Sequence, residues 1–206
     1  MPKGSLILML DLETTGNESV VLYPAPGVVK QNPDASEIVE VGLIMLDNPS
    51  LQEIGSFEVV IQPSAKGMKA LMSKDVVRKM HETNGLLAEL QAGNGVHPAV
   101  ADAMISKWLD QFTEDSTHIP YGGSGVTHFD RQYINLYLPR LARRITYWAL
   151  DVGAPRRIFE IKGGDTYSID AKDHRSLQDT RVHSDELRFY AEAGDLASRY
   201  RDLATS

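Results

Sequence analysis

Cysteine is absent from all 206 residues. Disulfides, thiolate metal sites and a cysteine nucleophile are therefore excluded together, and the absence accords with a reducing compartment. Positive charge is scarce: 21 Lys and Arg stand against 28 Asp and Glu, a formal net charge of −7. A protein that coats duplex nucleic acid gains affinity by neutralising phosphates and is usually basic, so sequence-independent duplex binding is excluded. A site that works through bound cations makes no such demand, because the ions bring the positive charge. Long apolar runs are missing too. Residues 5–10 (SLILML) are too few to span a membrane and run straight into charged residues, which fits neither a signal peptide nor a transmembrane helix. The expectation is a cytoplasmic protein with no membrane partner. No repeat and no low-complexity tract is visible. The 42% hydrophobic and 24% charged content is that of an ordinary soluble globule, and the length fits one domain over residues 1–206 with a sizeable core.

What is present reads as an α/β pattern. Residues 6–10 are wholly apolar and predict a buried strand ending at Asp11. Residues 17–36, rich in Asn, Pro, Gly and Ser, predict a long loop inserted beside that strand end. Residues 38–46 and 55–62 predict two more strands joined by a turn at Asp47-Asn48-Pro49-Ser50, giving a three-stranded meander. Helices are predicted over 74–81 and 85–91. Another is predicted over 97–112, with Val100, Met104, Trp108, Leu109 and Phe112 inward, and another over 129–142, with Tyr133, Leu136, Tyr137 and Leu141 inward. Short strands are predicted at 118–123 and 145–150. A last helix over 176–203 is predicted to break near Ala193-Gly194. The sum is a mixed sheet of about five strands with helices on both faces.

The chemistry begins with DLETTG at 11–16. Alternate residues of a strand share a face, so Asp11 and Glu13 project together. Two carboxylates at one strand end repel unless a cation sits between them, and hard oxygen ligands suit Mg²⁺ or Mn²⁺. Thr14, Thr15 and Gly16 let the backbone leave the sheet with room for a ligand to approach. HFDRQY at 128–133 puts Asp130 at a predicted helix start, where the dipole alone also favours a carboxylate. HRSLQD at 174–179 puts Asp179 in the first turn of the last helix and His174 on the loop before it. A loop histidine beside a cation cluster can accept a proton from water. His183 lies one turn beyond Asp179 and reads as a partly exposed helix histidine rather than a ligand.

Taken in order, these motifs resemble those of the DEDDh 3′→5′ exonucleases, a superfamily with a ribonuclease H-like fold that includes proofreading subunits, ribonuclease T and oligoribonuclease. The resemblance spans about residues 6–190. It implies that Asp11, Glu13, Asp130 and Asp179 hold two divalent cations, Mg²⁺ or Mn²⁺, and that His174 is the general base. The substrate implied is the 3′ end of single-stranded RNA or DNA, or a short oligonucleotide. HETNGL at 81–86, LDV at 150–152 and HRSLQDTRVHSDELRFY at 174–190 are most similar to the oligoribonuclease branch, whose members are dimers, so a homodimer is implied as well. That branch has Met where this chain has Thr14, Leu at the place of Asn17, Trp near Val76 and Arg at Trp148. Its strict dinucleotide preference is therefore not implied here. Leu12, Thr14, Thr15, Gly16 and His81 are the candidate substrate-binding residues. His81 is also explained by the favourable end of a helix.

Several residues read as structural. Asp151 and Asp170 have no spacing argument and read as structural or solvated. Tyr147 and Trp148 read as core or dimer-contact residues. Arg140, Arg143, Arg144, Arg156 and Arg157 read as a solvated helix end and loop, with guidance of a phosphate backbone as the other reading. Three further functions remain open on the motifs: a proofreading or repair exonuclease on single-stranded DNA, a non-catalytic nucleic-acid-binding module, and a metal-dependent phosphatase or nucleotidase.

Overall fold

The computed structural model describes residues 5–25, 28–168 and 173–204; Asp170 lies outside them. The elements in chain order are β1 (Leu6–Thr14), β2 (Val21–Ala25), β3 (Val28–Gln31), β4 (Ile38–Asp47), β5 (Glu53–Val60), α1 (Ala65–Ser73), α2 (Asp75–Thr83), α3 (Leu86–Gln91), α4 (Pro98–Leu109), β6 (Ile119–Gly123), α5 (Asp130–Tyr137), α6 (Pro139–Arg144), β7 (Ile145–Asp151), α7 (Gly153–Ile161) and α8 (Ser176–Ala204). Five strands form one sheet in the order β5-β4-β1-β6-β7. β5, β4 and β1 make the antiparallel meander that the sequence predicts. β6 and β7 extend it in parallel with β1.

The sheet is covered on both faces, and the alternation along β1 sorts the two. Leu8, Leu10 and Leu12 join the main core with Val41, Leu43 and Met45 of β4 and with residues of α4, α5 and α6. Ile7 and Met9 turn the other way and pack with Ile44, Leu46, Leu177 and Leu187, which brings in α8. Asp11 and Glu13 continue that second face. Opposite them on β4 stand Gly42 and Glu40. Gly42 is required there: a Cβ would lie 2.3 Å from the backbone of Ser176 and Leu177, so its absence lets the start of α8 lie directly on the sheet.

Several expectations need correction. The 17–36 segment is not all loop but contains the antiparallel pair β2–β3, whose strands begin with the β-favouring residues Val21 and Val28. Its base is tied down. Gln132 Oε1 accepts from Ser19 Oγ at 2.7 Å and from the Val20 amide at 2.8 Å. The Tyr133 hydroxyl donates to the Glu18 carbonyl at 2.7 Å, and burial pushes that phenol up to about 12. Helix 129–142 is two helices, because Pro139 cannot donate an amide and disfavours helical geometry at Leu138. Asp102 caps the second of them through the Arg140 and Leu141 amides. This shifts the inward face of α4 to Ala101, Asp102, Ile105, Trp108 and Leu109, leaving Val100 and Met104 exposed. α8 runs unbroken through Ala193-Gly194. α1 and α7 were not anticipated.

Candidate functional site

The site forms where the α8-facing side of the sheet turns from apolar to polar. On β1 this is the step from Met9 to Asp11; on β4 it is the step from Ile44 to Gly42 and Glu40. α8 meets that end with a buried polar stripe of Ser176, Asp179, Thr180, His183 and Ser184, spaced three and four apart so that all share one helix face. Ligand atoms of Glu13, Asp179 and His174 lie within 4.8 Å of one another. Glu13 and Asp179 are buried, whereas the His174 side chain is 47% exposed, with Nδ1 4.0 Å from Asp179 Oδ2.

The loop that carries His174 is fixed by charge. Glu40 is fully buried and directly opposite Glu13 across the β1–β4 ladder, a like-charge pairing that is unfavourable on its own. Arg175 answers it, with Nη2 2.6 Å and Nε 2.9 Å from Glu40 Oε1, and its Nη1 reaches Glu89 at 2.9 Å. Burial works against the charge of Arg175, but the bond to Glu40 and the pull of Glu89 outweigh it and raise its pKa. The other Glu40 oxygen accepts the Ser176 amide at 2.8 Å, so this carboxylate also caps α8 at its positive end. The His174 carbonyl accepts from Asn84 Nδ2, and His174 adopts φ +51°, a left-handed conformation uncommon for a side-chain-bearing residue. His174 therefore has a fixed backbone and a ring open to solvent.

Two further histidines flank the carboxylates from within. His81 is fully buried. Its Nε2 lies 3.0 Å from the Thr14 carbonyl, which assigns the proton to Nε2. Its Nδ1 makes no hydrogen bond and lies 4.0 Å from Glu13 Oε2. Burial lowers its pKa, against the opposing pull of the Thr14 carbonyl and Glu40, so the ring is neutral. A bare nitrogen lone pair aimed at a carboxylate is an electrostatic deficit that a cation between them would relieve. His183 is 1% exposed, with Nδ1 3.7 Å from Asp11 Oδ1. It is thus no partly exposed helix residue: it is buried against the first carboxylate of the motif. The periodicity of apolar residues gave no sign of this, because the buried stripe of α8 is polar.

Asp130 opens α5 and is 3% exposed. Neither it nor Asp11 is among the three residues whose ligand atoms cluster within 4.8 Å. Among the candidate substrate residues, Leu12 turns its side chain into the main core. Thr15 is fully buried, its hydroxyl accepting the Glu37 amide at 3.0 Å, so neither side chain faces a ligand. The Thr14 hydroxyl bonds the Gly16 carbonyl at 2.6 Å, and Lys74 bonds the Thr15 carbonyl at 3.3 Å and pairs with Glu18. Beside His174 opens a cleft of about 680 Å³, lined by Val76, Lys79, Met80, Thr83, Asn84 and Asp173.

The residues read as structural divide. Asp151 is structural and half-buried: its Oδ1 accepts the Gly125 and Gly153 amides at 3.1 and 3.0 Å. Arg144 is not solvated but buried, bonded to Asp110 at 2.6 Å and to the Thr113 carbonyl at 3.0 Å. Arg156 pairs with the buried Glu186 at 2.5 Å. Tyr147 and Trp148 are not core residues; they lie on the edge strand β7, with Tyr147 92% exposed. No helix among the described residues is long and apolar enough to cross a membrane.

Comparison with known proteins agrees with the motifs. No protein-family model matches the chain. An oligoribonuclease of Tropheryma whipplei is 27% identical over 194 residues, covering 93% of this chain and 94% of that protein. One of Dichelobacter nodosus is 26% identical over 191 residues, covering 92% and 95%. One of Streptomyces coelicolor is 29% identical over 168 residues, covering 76% and 77%. Among solved structures, Escherichia coli exonuclease I in complex with a dT13 oligonucleotide superimposes with a TM-score of 0.60 at 13% identity, over 95% of this chain. Exonuclease I of Methylocaldum szegediense gives 0.57 at 15% identity, over 87%. The chain spans 43% and 39% of those two proteins. The shared architecture is the ribonuclease H-like fold, a mixed five-stranded sheet flanked by helices.

Proposed function

We propose that the protein is a metal-dependent 3′→5′ exonuclease acting in the cytoplasm on short single-stranded oligonucleotides and releasing nucleoside 5′-monophosphates. The observation that carries this reading is the convergence of Glu13, Asp179 and His174 within 4.8 Å at the polar end of the sheet. The oligoribonuclease relatives, aligned over nearly the whole chain, point the same way. Asp11, Glu13, Asp130 and Asp179 would hold the two cations, Mg²⁺ or Mn²⁺. The donor set fits them: oxygen-rich, with an orphaned His81 nitrogen facing Glu13. When bound, the cations lower the cost of the charge that develops on the attacking and leaving oxygens, by several kcal/mol.

The chain's own residues do the rest. The ring of His174, open to solvent on a fixed backbone, accepts a proton from the attacking water. The water oxygen bonds to the terminal phosphorus and the bond to the 3′-oxygen of the preceding nucleotide breaks. That oxygen takes a proton from solvent, leaving a strand one residue shorter. The cleft beside His174 receives the terminal nucleotides, with Val76 and Met80 against the bases and Lys79 near the phosphates. This cleft is open where the similar branch has Trp in place of Val76, which favours strands longer than two nucleotides. The exposed Tyr147 and Trp148 on β7 would be covered in a homodimer; sedimentation of the dilute protein tests that.

A second reading, a repair-type exonuclease on single-stranded DNA, draws on the similarity to exonuclease I. One experiment separates the two. A 5′-labelled seven-nucleotide RNA and its DNA counterpart are incubated with and without Mn²⁺, beside Asp11→Ala. A metal-dependent ladder shortening from the 3′ end, absent in the variant and faster on RNA, is the expected result. A faster DNA ladder selects the second reading. No cleavage of either strand overturns both.

A further inference from the structure

We propose that His183 is a positioning residue for Asp11: its imidazole orients the Asp11 carboxylate for cation binding. The inference rests on the reading of Asp11 as a metal ligand and adds to it a residue that the motif does not contain. Asp11 lies on the face of β1 that α8 covers. Its cross-strand neighbour is Gly42, which has no side chain because α8 lies against it. The element that covers Asp11 is therefore α8 itself, and there His183 Nδ1 lies 3.7 Å from Asp11 Oδ1.

The placement is rigid. His183 is one helical turn after Asp179 on the same face, is 1% exposed, and is flanked by Thr180 and Ser184. The Thr180 hydroxyl bonds the Ser176 and Gly42 carbonyls, at 2.6 and 3.2 Å, and the Ser184 hydroxyl bonds the Thr180 carbonyl at 2.8 Å. The helix is thus tied to β4 at the level of Asp11. At 3.7 Å a small turn of the Asp11 side chain brings its oxygen to the imidazole within hydrogen-bond range. A carboxylate ordered before the cation arrives loses less freedom on binding it. Partners outside the ligand shell typically change metal affinity by roughly 10–100-fold. One helix face would then serve both ends of the site, with Asp179 as ligand and His183 as the brace of the ligand across from it.

The test uses the whole chain, His183→Ala and His183→Gln, and three readings: Mn²⁺ affinity by titration without substrate, melting temperature without metal, and cleavage of the seven-nucleotide RNA across Mn²⁺ concentrations. His183→Ala is expected to bind Mn²⁺ about 10–100-fold more weakly with a metal-free melting temperature near wild type. Its cleavage should recover at high Mn²⁺, and His183→Gln, which keeps an amide donor, should regain most of the affinity. Equal Mn²⁺ affinity in all three proteins overturns the role of His183 alone. So does a loss of affinity that only follows a loss of metal-free stability and is not rescued by Gln. Wild-type protein that binds no Mn²⁺ overturns the metal-site reading beneath it.

Discussion

On the face of β1 and β4 that α8 covers, the two ends are built from opposite chemistry. At one end Ile7, Met9, Ile44 and Leu46 meet Leu177 and Leu187. Each such side chain contributes about 1.5–3 kcal/mol by leaving water, and no partner needs to be specified. A few residues further along the same strands, Asp11, Glu13 and Glu40 meet Asp179, Arg175, His81 and His183. Burial there is a cost, offset only where charges are paired. Glu40 is paired fully within the protein. Glu13 and Asp179 converge on a histidine ring and on each other. The apolar end gives α8 its grip, and that grip lets the polar end hold carboxylates together that would otherwise separate. On the proposed function, stability and chemistry are divided along one helix.

The largest expected effect would break this division if it failed. Glu13→Gln or Asp179→Asn should lower the cleavage rate by on the order of 10²- to 10³-fold, the typical worth of one group that stabilises developing charge. Without metal, either variant should melt near wild type, because the apolar end supplies the grip of α8. Ile44→Ala should do the reverse: a loss of about 2–5 kcal/mol read by urea unfolding, with the rate per folded molecule retained. If the carboxylate variants instead lose stability and keep activity, the two ends have been assigned the wrong way round.

Arg175→Met comes next. It leaves Glu40 buried without its partner and should cost about 3 kcal/mol, seen as a lower denaturation midpoint. Cleavage should fall as well, because the same guanidinium fixes the backbone beside His174. Loss of stability with an unchanged rate would show that the His174 loop is held in some other way.

The smallest effect is a pH dependence. Burial lowers the pKa of His81 from its ordinary 6.5. Above that value the ring is neutral in folded and unfolded protein alike, and its contribution to stability is complete. As pH falls below it the unfolded chain takes up the proton first, so stability is lost down through the folded pKa. Metal-free melting temperatures between pH 8 and 5 should therefore decline more steeply for wild type than for His81→Gln. Parallel curves would mean that burial does not hold the ring neutral.

How much of this was legible in the sequence follows from which interactions leave a pattern. The apolar run into Asp11, the meander and β6 were readable because strand burial leaves apolar residues in short blocks, and the mostly unburied β7 because Ile145, Thr146, Tyr147 and Trp148 favour strands. Asp-x-Glu and His-x4-Asp were readable because their spacing is chemical. Glu40, Gly42 and Arg175 were not, since each matters only through a residue more than 30 positions away or through the close approach of α8. The burial of His183 leaves no pattern for a related reason: a buried helix face made of Ser, Asp, Thr and His has no hydrophobic period. The inward face of α4 was misplaced because a capping aspartate, Asp102, occupies a position where an apolar residue was sought. The strand pair within 17–36 was hidden by the Pro and Gly of that segment, which mark a turn as readily as a loop.

The central claim, that the polar end of this face is a divalent-cation site, is tested most directly by thermal unfolding of the wild-type protein and Asp11→Asn with and without millimolar Mn²⁺. Binding to the native state alone stabilises it by about 2.7 kcal/mol at a metal concentration one hundred times the dissociation constant. The wild type should therefore melt several degrees higher with Mn²⁺, and Asp11→Asn should lose most of that gain. An unchanged wild-type melting temperature at millimolar Mn²⁺ and Mg²⁺ would contradict the account.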